Sequence, residues 1–359
     1  MSTVLSETAH SVELAGSRLV WLAPALAAFA YPYFVMQFYQ SGRMLHQASD
    51  PSSLATAWID VLVAAILTYG VPALSLIVAY VLGRVEAPSP GQIRARRFAH
   101  LAFASPSLFV LIGVIFYMLH LSNGDYVFWA ILWLGVIAAI GYAGRTDVAL
   151  AGTITRTVPR WLRRSHGFSA LAILLIFLAW HLLNHMTAFL SMDANQAMMK
   201  VLRKWYRSEL VQPLLVALFI FQVCSGLILL WRATAVKSDF LRTLQTITGA
   251  FLTVFITSHL NAVFVLGRHF SDVDTTFLWA AGAPTGLLPD AWNVRLIPHY
   301  SLAVWWVITH LGLGLRIILL GHGVSPTVAN RVAWGTAGLG LVVASIITAA
   351  LMSVHGPQS

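Results

Sequence analysis

The sequence predicts an all-α, polytopic integral membrane protein, a helical bundle of about nine spans, and three observations predict it. The mean hydropathy is +0.76, with 58% hydrophobic and only 10% charged residues, more apolar surface than a water-soluble domain can hide. Apolar runs of about 20 residues, the length that crosses a bilayer, recur along the whole chain. The single cysteine, Cys224, lies inside one of them, which leaves no disulfide framework and no thiolate cluster for zinc or iron–sulfur.

In order, the spans fall at roughly 19–41, 57–83, 98–120, 126–144, 166–190, 210–231, 243–267, 298–320 and 332–354. The residues ahead of the first carry Glu7 and Glu13 but no basic n-region, so that span is expected to stay in the mature chain rather than leave as a signal peptide. With nine spans the connections alternate between two sides. Roughly two thirds of the 22 Lys and Arg fall on the N-terminal side. The positive-inside bias then puts the N-terminus in the cytoplasm and the C-terminus outside, in a bacterial-type cytoplasmic membrane with lipid as the first partner. Lys200, Arg203, Lys204 and Arg207 break the bias. They sit in QAMMKVLRKWYRSEL, which has the amphipathic pattern of a short interfacial helix.

The longest connections, 145–165 and 268–297, are too short to be soluble catalytic domains, and the second, with Asp272, Asp274, Pro284 and Pro289, is expected to cap the outer face. IAAIGYAGR (137–145) ends the fourth span much as ITHLGLGLR (308–316) ends the eighth. On that similarity residues 1–150 form a four-span bundle, a possible degenerate copy, ahead of a five-span unit over 151–359.

Chemistry enters with the histidines. An ionisable group at mid-membrane is costly and is usually buried, paired and functional, although a neutral histidine can also be satisfied by one hydrogen bond to a neighbouring helix. His181 lies seventeen residues past Arg164 and His259 seventeen past Arg242, each about 26 Å along a helix entering from the same side. Two imidazoles at one depth on two parallel helices can clamp a flat ligand, read here as haem. Gly167, Ser169 and Ala172 before the first, and Thr248 and Gly249 before the second, allow close approach. His310, six residues before Arg316, marks a second, inner level about 9 Å from that arginine. The run from Gln222 to Gly226 and Leu227 parallels the run from His310 to Gly314 and Leu315, so Gln222 occupies the position equivalent to His310.

With these residues in place, spans five to nine resemble the five-helix, di-haem cytochrome b anchor of succinate:menaquinone oxidoreductases and fumarate reductases. In that family the first helix enters through a segment similar to RRSHGFSAL and carries a haem histidine near its outer end, matched by His181. The third carries L-Q-R-I-T-G and then a histidine, matched by Leu244, Gln245, Ile247, Thr248, Gly249 and His259. The second and fourth carry H-x-x-x-G-L, matched fully by His310, Gly314 and Leu315 but with Gln222 in the place of the other histidine. The resemblance covers about 200 residues. It implies an outer haem b on His181 and His259, and an inner site with His310 as metal ligand opposite Gln222, a poor one. It also implies a quinone and a flavoprotein or iron–sulfur partner that carries the substrate chemistry. The chain itself would be at most an electron-transfer subunit. The alternative is a non-catalytic sensor or regulatory anchor reporting through haem or quinone.

The other histidines and cations carry less. His185, one turn past His181, and His269 beside Arg268 lie near the outer surface and are candidate contacts of the haem propionates, as Arg268 or Arg295 are through charge-assisted bonds, although ordinary interface placement also explains them. His166, at the cytoplasmic mouth of the fifth span, is a candidate quinone contact, and His299 would border the outer haem. His100 and His120 bracket the third span and read as interface residues. His10, His46, His322 and His355 fall in loops or tails. Trp21, Trp58, Trp129, Trp161, Trp205, Trp231 and Trp292 near span ends read as an interfacial belt. There is no Gly-rich phosphate loop, no HExxH and no paired intramembrane carboxylate, so nucleotide hydrolysis, zinc proteolysis and proton-driven transport have no positive support.

Overall fold

The computed structural model describes residues 17–143 and 159–353. The N-terminal segment, most of the link between the fourth and fifth spans with the expected boundary at 150, and His10 and His355 lie outside the described residues. Among those described every regular element is helical, in agreement with the all-α expectation. Among the described residues eight helices are long and apolar enough to cross a membrane, and a ninth apolar stretch is a pair of helices bent by more than 40°, the geometry of a broken span or a re-entrant loop.

The helices are α1 (Arg18–Gln47), α2 (Pro51–Gly83), α3 (Pro90–Phe103), α4 (Ser105–Met118), α5 (Gly124–Ala143), α6 (Arg160–Leu190), α7 (Met192–Tyr206), α8 (Val211–Ala233), α9 (Phe240–Phe270), the single turn α10 (Phe277–Ala280), α11 (Leu296–Gly321) and α12 (Pro326–Met352). Local signals fix their ends. Asp50 accepts from the backbone N–H of Ser52 and Ser53 while Ser53 returns a bond to Asp50, a capping box with Pro51 in the first turn. Ser89 and Gln92 repeat the arrangement ahead of α3. The third span is two helices bent by 68° at Ala104, because Pro106 in the next turn has no N–H to give and its ring excludes the preceding carbonyl.

The chain divides into two compact units, one of residues 1–157 with 230–258, the other of 158–229 with 259–359. In the first, α1 packs on α2, α3 and α5 through small residues that bring backbones close: Ala28, Ala64, Ala79, Ala99 and Ala102 are all fully buried. Tyr31, Phe109, Trp129 and Trp133 fill the centre, and Trp129 Nε1 donates to the Ala28 carbonyl at 2.8 Å. Trp129 and Trp21 are therefore core residues at 1% and 5% exposure, whereas Trp58, Trp161, Trp205 and Trp231 are at least half exposed as a belt requires. Two arginines stitch α3 to the turn after α8. Arg96, itself 2% exposed, donates to the carbonyls of Thr234 (3.2 Å) and Val236 (2.7 Å) and to Ser238 Oγ (2.5 Å). Arg97 donates to the Trp231 carbonyl at 2.8 Å with its guanidinium 3.3 Å above the indole. Trp231 lies in the last turn of α8, whose carbonyls lack intrahelical donors and suit a cation, and Thr234 and Val236 lie in the turn just beyond it. His100, expected at an interface, is instead buried, bonded to the Arg96 carbonyl at 2.8 Å and to Thr246 Oγ1 at 3.2 Å. The turn of α3 that carries Arg96 inward carries His100 inward four residues later.

In the second unit, α11 and α12 lie against each other. Gly312 faces Thr336 so closely that no Cβ could be added, and Trp305 Nε1 bonds the Ala337 carbonyl at 3.1 Å. α7 follows α6 after one residue, Ser191, whose hydroxyl accepts from Ala194 N–H, and runs back along it as an antiparallel hairpin. Asn195 reaches the Asn184 carbonyl at 2.6 Å, and Trp205 and Tyr206 reach the carbonyls of Ile176 and Phe177. The segment with misplaced positive charge thus packs on a neighbour, and its Arg203 and Arg207 both bind Asp274 in the connection after α9. That connection is closed on itself by Asn293, whose amide bonds the Gly286 carbonyl at 3.1 Å and the Gly282 carbonyl at 3.3 Å. Gly282, at φ +73°, leaves no room there for a side chain.

Candidate functional site

His181 stands on α6 just past a stretch wound as a π-helix, Leu174–Leu178, and His259 stands on α9 just before another, Asn261–Phe270. Such wide turns are rare and concentrate at functional positions. Both apolar sequences around the histidines are compatible with an unbroken α-helix, so nothing in their pattern announces the change of winding.

The two imidazoles meet. Their ring centres are 6.2 Å apart with planes crossed at 63°. Phe177 stacks on His181 at 4.7 Å and 21°, while His185 stands edge-on to it at 4.6 Å and 80°. His185 touches Phe277 of α10 at 5.5 Å. His299, buried at 2% exposure near the start of α11, lies within electrostatic reach of His259. The outer group is therefore His181, His185, His259 and His299. Around it, the buried atoms Asn184 Oδ1, His185 Nδ1, Asn195 Oδ1 and Asn261 Nδ2 have no hydrogen-bond partner among the described residues, an unusual density of unmet polar groups for an apolar bundle.

The spacing of His181 and His259 suits one metal between them. Two iron–nitrogen bonds of about 2.0 Å, plus about 1.1 Å from each nitrogen to its ring centre, come to about 6.2 Å. Among the described residues no three His, Cys, Asp or Glu are grouped to hold a bare ion. Neutral imidazoles in an apolar surround are the donor type that haem iron accepts from histidine.

The second level, at His166 and Gln222, is built differently. Gln222 on α8 donates from Nε2 to His166 Nε2 at 3.3 Å and accepts from Ser169 Oγ at 2.5 Å. With Nε2 accepting, His166 carries its proton on Nδ1 and gives it to Ser225 Oγ at 2.8 Å. His166 and Gln222 thus satisfy each other through α6 and α8. His310, on α11, sits eleven residues past His299, about 16 Å further along the helix and so well away from the outer group. Cys224 is exposed. Arg268, at the end of α9, donates to Gln212 Oε1 at 3.0 Å and lies 4.7 Å over the Phe264 ring, with its Nε unmet.

Sequence reasoning missed the donors that serve the wide turn of α6. Leu175, Ile176 and Phe177 each give their carbonyl to an aromatic side chain: Trp180 Nε1 at 3.2 Å, Trp205 Nε1 at 3.3 Å and Tyr206 OH at 3.3 Å. Burial pushes the Tyr206 phenol up to about 12, so its hydroxyl keeps its proton and remains a donor. No family model, curated protein or solved structure matches the chain. The likeness of spans five to nine to a cytochrome b anchor rests on the motifs quoted above.

Proposed function

We propose that the chain is a membrane-embedded b-type cytochrome that passes electrons between a quinone and a partner redox subunit. The observation that carries this reading is the His181–His259 pair, two imidazoles whose ring centres lie 6.2 Å apart, a separation that bis-histidine ligation would require. In this reading His181 and His259 hold one haem b, and the haem supplies a one-electron couple. Phe177 fixes the ring plane of His181 by stacking, and the apolar side chains of α6 and α9 keep water away and so tune the potential. Asn184, Asn195, Asn261 and His185 offer unmet polar atoms to the cofactor's edge or to ordered water.

The inner level is assigned no haem. Gln222 is engaged by His166 and Ser169, and His310 is the one remaining histidine of the family's inner pair. His166 and Gln222 are the groups proposed to meet quinone, by exchanging their mutual bond for bonds to its carbonyl oxygens. The chain makes no substrate chemistry of its own; a flavoprotein or iron–sulfur subunit on the cytoplasmic side would supply it.

The test is a reduced-minus-oxidised visible spectrum of the purified chain with pyridine haemochrome quantification. One low-spin haem b per chain is expected. Two would place a second haem at His310, and none, after expression with haem available, would end the reading.

A further inference from the structure

We propose that Trp205 and Tyr206 are positioning residues for His181, holding open the wide turn on which its orientation depends. This rests on the cytochrome reading for its consequence but not for its geometry. Three consecutive carbonyls, Leu175, Ile176 and Phe177, are each taken by an aromatic N–H or O–H, and two of those donors come from α7 rather than from α6 itself. A π turn carries about 4.4 residues in place of 3.6, so five residues of it rotate everything beyond by roughly a quarter turn relative to an α-helix. His181 lies immediately beyond. If Leu174–Leu178 rewound as α-helix, the imidazole would swing away from His259.

Each side-chain donor adds a bond to a carbonyl of this turn, one that rewinding as α-helix would strain or break. Trp205 and Tyr206 are the last residues of α7, which the antiparallel hairpin sets beside Ile176 and Phe177. Tyr206 also packs its ring edge-on against Phe177 at 4.6 Å, and Phe177 stacks on His181. The chain of contact from α7 to the imidazole is therefore Tyr206, Phe177, His181. Arg203 and Arg207, one on each side of this aromatic pair, anchor the same end of α7 to Asp274.

The experiment uses the full chain in lipid nanodiscs, comparing wild type with the double variant Trp205→Phe, Tyr206→Phe, which removes both donors and keeps the aromatic rings. Amide hydrogen exchange over 174–181 is read against 243–258 as an internal control, together with the visible spectrum. We expect exchange over 174–181 to quicken roughly tenfold, the loss of about one bond's protection, and the low-spin signal to convert to high-spin with haem content retained. Unchanged exchange over 174–181 overturns the proposal whatever the spectrum does, and quicker exchange with an unaltered low-spin spectrum overturns the link to His181. A wild-type chain that binds no haem ends the cytochrome reading by itself, and the exchange data still decide whether these donors hold the turn. If the double variant does not fold, Tyr206→Phe alone, which deletes one hydroxyl, is read the same way.

Discussion

Gln222 gives its amide to His166 at 3.3 Å, and both ends of its side chain are engaged within the membrane. A glutamine so placed is a member of a polar network and not a ligand in waiting. Gln222→Ala should therefore leave the low-spin haem signal intact. It strands His166 and Ser169, and with hydrogen bonds inside membrane bundles averaging about 0.6 kcal/mol, the two lost bonds should cost about 1–2 kcal/mol. The visible spectrum and a thermal or denaturant midpoint of the same sample check both halves.

His181→Ala and His259→Ala should each abolish the low-spin signal, since one imidazole cannot complete the axial pair. His185→Ala should retain it, because the 6.2 Å spacing belongs to the other two rings. Spectra of the three variants, normalised to protein, decide between His181 and His185. Loss in His185→Ala with retention in His181→Ala would move the ligand by one turn.

Arg96 places a buried guanidinium on two carbonyls of the turn after α8 and a hydroxyl. Hydrogen bonds to charged groups contribute about 1.5–3 kcal/mol each, so with Arg97 still present the loss in Arg96→Ala should be about 3 kcal/mol. Arg96→Lys should recover only part of it, since an ammonium cannot fork across three acceptors. Unfolding of the two variants in one detergent checks the order.

Asp274 supplies a pH-dependent contact of the connection after α9. Partial burial pushes its carboxyl up, but the hydrogen bonds and charges of Arg203 and Arg207 outweigh this and hold it below its ordinary 3.8. A carboxyl lowered by folding contributes stability that is fully present above its unfolded value and is lost as pH falls through the folded one. Its side chain is 55% exposed, so after solvent screening the contribution is about 0.5 kcal/mol. Asp274→Asn should be slightly less stable than wild type at pH 6 and equal to it well below pH 3.8, as paired melting curves would show.

Much of the fold is legible in the sequence because length and hydropathy decide it. Nine apolar runs become eight spanning helices and one bent pair, and Pro106 accounts for the bend. The meeting of His181 and His259 follows from their equal distance to an arginine at the same side. What is not legible depends on winding and on neighbours. A π stretch has no composition of its own, and two of the side chains that donate to carbonyls of Leu174–Leu178, Trp205 and Tyr206, stand 29 residues from their acceptors. Trp129 and Trp205 look alike in the sequence, both near span ends, yet one is core and the other belt. His100 reads as an interface residue because its partner, Thr246, stands 146 residues later.

The Arg96 clasp also imposes an order of assembly. Its acceptors lie up to 142 residues further along, so when α3 enters the membrane the groups that will satisfy its guanidinium have not been synthesised. At about 5–20 residues per second the wait is roughly 7–30 s. During it the nascent first unit carries an uncompensated cation at the edge of the hydrocarbon, attractive to anionic headgroups or to a chaperone. A gene cut after the fourth span would make that transient state permanent.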